Sequence, residues 1–279
     1  MDIEGENLKS WEEFLERLKG LENKFCEQNC SPFLYRGQGK KRYGLKTTLE
    51  RHSQSNLSLK EYFRLISVVK PQIESFTEAS WNILSYPDGF DEWLKKNDSF
   101  LPHAFGSSIN FIETYGYMVD LRHHGFPSPL LDWSTSPYVA AYFAFKDVLQ
   151  CKEDVSIYVY LESISGFKVG GNEPYIYNFG PYVKTDRRHF IQQSRYTVCI
   201  IRDNTPDGEW RYPPHEEVFA LNNQNQDVLW KFNIPYSERL KVLKELDNYN
   251  INALSLFGSK ESLMETMALR EIYFRDREL

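Results

Sequence analysis

Apolar positions recur with a helical period at the start of the chain. Trp11, Phe14, Leu15, Leu18 and Leu21 share one face of residues 10–25, and Ser10 with Glu13 forms a capping box at the entry. The pattern then changes. PFLYRGQG, residues 32–39, is a short apolar run stopped by two glycines, which predicts a strand with Arg36 at its end. Ser58 and Glu61 form a second capping box, and the helix after it carries Tyr62, Leu65, Ile66, Val69 and Ile73 on one side, with Pro71 able to bend it. Residues 81–106 show no period and predict an irregular surface excursion. Residues 109–123 read as helix, stopped at His124-Gly125. The prolines of FPSPLLDW exclude helix there. Ser136 as cap and Pro137 in the first turn then open YVAAYFAFKDVL, a helix apolar on nearly all sides and therefore buried.

From 151 to 235 the period shortens to that of strands: VSIYVYL, YTVCII, EEVFAL and VLWKFNI. SERLKVLKELDNY and SKESLMETMALREIYF close the chain as helices. No repeat, low-complexity tract or linker divides it, so a single domain over 1–279 is expected, with 1–9 as a tail. The predicted class is α+β, a helical N-terminal half packed on a mostly antiparallel β core.

Composition narrows the partners. With 279 residues, 41% of them apolar and 15% aromatic, the chain can bury a sizeable core. A net charge of −6 gives the whole molecule no attraction for polyanions, so nucleic-acid contact would need a local patch, Lys40-Lys41-Arg42 or Arg187-Arg188. The cysteines at 26, 30, 151 and 199 fit no zinc spacing, and Cys26 and Cys30 are expected as reduced neighbours on a helix. The acidic start lacks an apolar signal core and no run is long enough to span a membrane, so a reduced, soluble, cytoplasmic protein without membrane contact is expected.

Three stretches carry candidate chemistry. In YRGQG, Arg36 beside Gly37 offers a planar, bidentate grip on phosphate or carboxylate, and Gln38 adds a neutral donor and acceptor. The same residues also fit an arginine paired with a carboxylate and a glycine turn. LRHHGFPSPLLDWSTSPYVAAYFAF, 121–145, sets His123, His124, Asp132, Trp133 and Ser134 next to a helix start, a setting suited to an anion or ligand. Capping by Asp132 or Ser134 is expected in either case. Metal is not expected, because adjacent helical histidines point about 100° apart and neither HxxxH nor HExxH occurs. No GxSxG elbow, Walker loop or dinucleotide GxGxxG fingerprint is present. In DRRHFIQQSRYTVCI, Gln192 and Gln193 precede a strand and suit hydrogen bonds to an amide or base edge, or form a solvated loop. Glu216 and Glu217 in HEEVF fit surface charges or a ribose contact.

YRGQG, LERH, the 121–145 stretch, RRHFIQQSRYT and WKFNIPYSERLKVLKELDNYNINALSLFG together resemble the FRG domain family, named for its Phe/Tyr-Arg-Gly motif, in order and spacing over about residues 10–270. This chain departs from the family at Arg122-His123-His124, where a Gln-His-aromatic pattern is usual. PSPLLDW replaces PTxLLDW, Gln192-Gln193-Ser194 replaces QQG, and Glu261-Ser262 replaces Asp-Gly. A weaker similarity links LYRG and WSTSPYVAAYFA to the arginine strand and the Ser-Thr-Ser segment of mono-ADP-ribosyltransferases.

That similarity implies an ADP-ribosyltransferase-like fold and NAD as cofactor, in an enzyme or NAD-cleaving effector. Arg36 would grip the pyrophosphate. Ser134 would brace the arginine and the nicotinamide ribose, and Ser136 would shape the pocket with Gly37, Gln38 and Asp132. Trp133 or Tyr142 would stack a ring, and Glu217, with Glu216 second, would be the acid. Gln192-Gln193 sits where that acid is expected. The family implies a bacterial toxin or phage-defence setting and a protein or nucleic-acid acceptor. Two other functions fit the residues: a metal-independent nuclease with His123 or His124 as base and Arg36 on the phosphorane, and a nucleotide-binding or interaction module without catalysis.

Overall fold

The computed structural model describes residues 3–26, 29–52, 57–98, 109–147, 152–166, 168, 174–180, 186–202, 208–221 and 226–275. In chain order the elements are β1 (Glu6–Asn7), α1 (Trp11–Cys26), β2 (Phe33–Gln38), α2 (Thr48–Arg51), α3 (Leu59–Thr77), α4 (Asp88–Asn97), α5 (Ile109–His123), β3 (Leu131–Ser134), α6 (Pro137–Phe145), β4 (Val155–Ser163) and β5 (Tyr175–Phe179). There follow α7 (Arg187–Ile191), β6 (Ser194–Arg202), β7 (Trp210–Arg211), α8 (His215–Leu221), β8 (Gln226–Ile234), α9 (Arg239–Asn248), α10 (Ala253–Phe257), α11 (Lys260–Ala268) and a π-helical turn, Leu269–Tyr273. The fold is α+β.

The strands form one sheet in the order β1-β8-β4-β2-β3-β6-β5, with β7 added to β6. Every pairing is antiparallel except the short β1–β8 ladder. Alternation along β2 sends Leu34 and Tyr35 to different faces. Tyr35 joins the core under α6, α1 and α9, with Trp11, Phe14, Val139, Phe145, Ile157 and Val242. Leu34 joins Leu131, Trp133, Tyr158, Tyr160 and Phe219, covered by α8. A third cluster packs α3, α4 and α5 against β5 and β6 through Tyr62, Phe63, Phe90, Tyr117 and Tyr196.

The expected capping box at Ser58–Glu61 forms, Ser10 Oγ accepts from Glu13 N at 3.3 Å, and a further box not read from the sequence forms at Thr47–Glu50. Ser136 caps α6 by accepting from Val139 N, with Pro137 in the first turn.

Several local expectations change. EEVFAL is not a strand but most of α8, where Pro214 O accepts from Glu217 N and Val218 N, and Glu216 and Glu217 lie in the first turn. His215, Val218 and Phe219, spaced i, i+3, i+4, are its buried side. Within the irregular 81–106 stretch, residues 88–97 form α4, which buries Phe90 and Trp93 and places acids at its start and lysines at its end; residues 99–106 lie outside the described residues. Arg187–Ile191 form α7, capped by Asp186, rather than a loop. Cys30 lies beyond the end of α1. Cys199 is a buried free thiol, and Cys151 lies outside the described residues. Among the described residues, no helix is long and apolar enough to cross a membrane.

Candidate functional site

All six residues of β2 pair with β4, but β2 meets β3 at only one position, Tyr35↔Ser134. Beyond that pair the two strands part, and β3 continues along β6 instead. The parting opens a cavity of about 580 Å³. Arg36, Gly37 and Gln38 form its wall from β2; Asp132, Trp133 and Ser134 face them from β3; His123, Arg188, Gln192 and Ser194 close it on the α5 and β6 side. Six cationic side chains line it (Arg36, Lys40, Arg51, Arg122, Lys146 and Arg188), against two carboxylates, Asp132 and Asp147.

Asp132 organises the cations. Arg36 Nη1 donates to the Asp132 carbonyl at 2.7 Å and pairs with its Oδ2 at 2.8 Å. Arg122 Nη2 pairs with Oδ1 of the same carboxylate, and its Nη1 donates to Thr48 Oγ1 at 3.2 Å. Burial alone would raise the Asp132 pKa, but the two guanidiniums Arg122 and Arg36 outweigh it and hold the carboxyl well below its usual range. Burial lowers the Arg36 pKa against the pull of Asp132, and Arg122 and Arg51 lower it further. Arginine remains charged through such a shift. The Nε–H groups of Arg36 and Arg122 are buried without a protein acceptor. The two guanidiniums therefore keep donor capacity that a single carboxylate does not use.

Gly37 has a different task from the one its motif suggests. A Cβ there would lie 1.9 Å from Ala140 O and 2.6 Å from Ala144 N. The glycine lets the α6 backbone lie directly on β2, and α6 adds Ala140 and Phe143 to the cavity lining. Gln38 lines the cavity and donates to Gly44 O at 3.1 Å.

Ser134 braces the far side. Its Oγ donates to Gln192 O at 2.7 Å and accepts from Ser136 N at 3.0 Å. Gln192 lines the cavity while its Nε2 donates to Leu256 O. Gln193 has φ +50°, and its side-chain oxygen accepts from Thr135 Oγ1. The left-handed residue at this turn is thus Gln193 itself, and Ser194 already belongs to β6, opposite Ser134. The missing glycine at 194 leaves the start of the strand intact.

The two histidines separate. His123 lines the cavity, with Nε2 2.6 Å from the Tyr196 hydroxyl. Burial, with Arg188 second, pushes its pKa down to about 4, so it is neutral near pH 7. His124 is exposed and rests its Nδ1 on Asp120 O, outside the cavity lining.

Of four other residues with an expected part in ligand binding or catalysis, Trp133 belongs to the cavity lining, and Tyr142, Glu216 and Glu217 do not. The Trp133 ring is buried against Tyr160 and Phe219, and its Nε1 donates to Thr197 Oγ1 at 2.9 Å, which in turn meets His215 Nε2 at 3.0 Å. Trp133 thus anchors β3 in the core. Tyr142 is buried and donates to Glu265. Glu217 is exposed on α8 and is not part of the cavity lining, and Glu216 accepts from Leu45 N at 2.9 Å. Sequence reading missed Arg122, Lys146, Tyr196 and Phe257. Arg122 alone had a signal, since it stands at a departure from the family pattern.

Of the basic patch, only Lys40 lines the cavity; Lys41 and Arg42 pair with Asp154 and Glu153. Among the described residues, no group of three or more His, Cys, Asp or Glu side chains is placed to hold a metal ion.

The FRG domain family model matches residues 31–153, from the start of β2 to just before β4. Over that stretch the chain is similar to the FRG domain. The match covers less than half of the sequence, yet it contains Arg36, Arg122, His123, Asp132 and Ser134. The FRG segment thus supplies both walls of the parted strands, while Arg188, Gln192 and Ser194 come from outside it. No curated protein matches the chain, and no solved structure does.

Proposed function

We propose that the cavity binds a small phosphate-bearing nucleotide, with NAD as the first candidate. The observation that carries this is the convergence of six cationic side chains on a cleft that holds only two carboxylates. A recess lined by one sign of charge focuses its field and attracts ions of the other sign. Arg36 and Arg122 add fork-shaped donors suited to phosphate oxygens. The volume falls in the range of small-molecule sites. A net charge of −6 opposes a long polyanion, which favours a nucleotide over RNA or DNA. NAD comes from the likeness of YRG and WSTSPYVAAYFA to the ADP-ribosyltransferases.

The same geometry argues for binding without rapid ribosyl transfer. Cleaving the nicotinamide–ribose bond builds positive charge, which a nearby carboxylate stabilises. Glu217 is off the lining, Asp132 is already neutralised by two guanidiniums, Asp147 pairs with Lys146, and the turn before β6 offers Gln192. Each tenfold of rate needs about 1.4 kcal/mol of differential stabilisation, and a neutral amide supplies little of it. A nuclease reading would use His123, but its Nε2 is engaged by Tyr196 and its Nδ1 is enclosed.

Calorimetric titration with NAD, ADP-ribose and inorganic pyrophosphate tests this reading, with nicotinamide release and RNA integrity in chelator assayed in parallel. Binding of the phosphate compounds with little turnover is expected. Fast nicotinamide release would restore the transferase reading, RNA cleavage the nuclease one, and failure of all three compounds to bind would overturn the proposal.

A further inference from the structure

A second cavity, of about 480 Å³, adjoins the first and shares Lys146 and Asp147 with it. The two open on either side of the C-terminal end of α6. The second is walled by Leu243 of α9, Ala253 of α10, Glu265 and Ala268 of α11, and Leu269 and Tyr273 of the π-helical turn.

Its chemistry differs from that of its neighbour. The last carbonyls of α6 give this end partial negative character. Arg239 is spent on them: Nε donates to Phe145 O at 2.9 Å and Nη2 to Lys146 O at 3.3 Å. Lys146 pairs with Asp147. Glu265 accepts from Tyr142 through Oε1 at 3.2 Å, which leaves Oε2 for another donor. The remaining wall is Leu243, Ala253, Ala268, Leu269 and the Tyr273 ring, with Thr266, whose hydroxyl donates to Ser262 O. Such a site disfavours phosphate and suits a flat ring bearing hydroxyl or amino donors.

We infer that the second cavity receives the nucleoside end of the ligand whose phosphates occupy the first. The ring lies against Leu243, Leu269 and Tyr273, and a ribose hydroxyl or exocyclic amine donates to Glu265. The π-helical turn belongs to the same assignment, since it brings Leu269 and Tyr273 together onto the cavity wall; single π turns recur at functional sites. Lys146 stands between the two subsites. This assignment rests on the phosphate reading of the first cavity.

Two compounds and two variants separate the claims. Inorganic pyrophosphate probes the first cavity alone, and ADP-ribose probes both. Glu265→Gln removes the acceptor charge, and Ala268→Phe fills the second cavity while the Glu265 carboxylate and the Tyr142 hydroxyl are kept. In both variants ADP-ribose should bind about tenfold more weakly or worse, the equivalent of about 1.4 kcal/mol, with pyrophosphate affinity unchanged. Unchanged ADP-ribose affinity in both variants, with pyrophosphate still bound, would overturn the nucleoside subsite and leave the phosphate site standing. Equal loss of both compounds would overturn the division into two subsites. Wild-type protein that binds neither compound would remove the phosphate reading and this inference with it.

Discussion

Arg36 Nη1 reaches both the backbone carbonyl and the carboxylate of Asp132, at 2.7 and 2.8 Å, across the place where β2 and β3 part. One nitrogen ties β2 to the side chain and main chain of β3. The contact holds the sheet together at its split, and Arg36 lines the cavity there.

The tie between strands is vulnerable from behind. Gly37→Ala puts a methyl group into the α6 backbone rather than into a movable side chain. Overpacking of this kind costs about 3 kcal/mol or more. Denaturant unfolding should show that loss, together with weakened ligand binding, because α6 must shift. A fully stable Gly37→Ala protein would contradict the close packing of β2 on α6.

Acid should act through two kinds of group. Asp132 has a depressed pKa, so its contribution to stability is complete above the unfolded carboxyl value, about 4, and is lost as pH falls below it. Asp132→Asn should flatten that part of the curve. His215 is pushed down to about 3 by burial, with the neighbouring Arg36 charge as a smaller cause in the same direction. The native state then binds fewer protons than the unfolded state between about pH 6.5 and 3, so stability is lost as pH drops through that window. His215→Gln, which keeps an acceptor for Thr197, should reduce this slope, with His123, pushed down to about 4, contributing the rest. Unfolding curves at a series of pH values check both, and wild-type stability that is flat from pH 6.5 to 3 would contradict the account.

Glu217 offers a negative control. It is exposed and stands off the cavity lining. Glu217→Gln should change neither nucleotide affinity nor nicotinamide release. A large loss of either would return α8 to the site.

Much of the cavity was legible because its residues break local rules. A charged residue in an apolar strand, as at Arg36, and polar Asp132 and Ser134 around a buried helix start need a reason beyond packing. What the strand pattern could not reveal was where β2 and β3 separate, since a ladder of one pair and a ladder of four look alike in sequence. The Trp133 ring was hard to place for a related reason: in a four-residue strand, alternation alone decides which side chain enters the core, and Trp133 shares its face with Leu131. Gly37 was read as room for a ligand, although the space is taken by a helix distant in sequence. EEVFAL looked like a strand from its apolar run, but Pro214 and two acids in a first turn start a helix more effectively. Lys146 and Phe257 enter the site only through tertiary packing and carry no local signal.

The most direct test of the central claim is calorimetric titration of ADP-ribose and adenosine into wild-type protein and Arg36→Lys. Lysine keeps the charge and loses the planar fork. The account predicts that wild type binds ADP-ribose at least about tenfold more tightly than adenosine, and that Arg36→Lys lowers the ADP-ribose affinity by about tenfold or more. Equal affinity for the two compounds, or ADP-ribose binding untouched by Arg36→Lys, would contradict it.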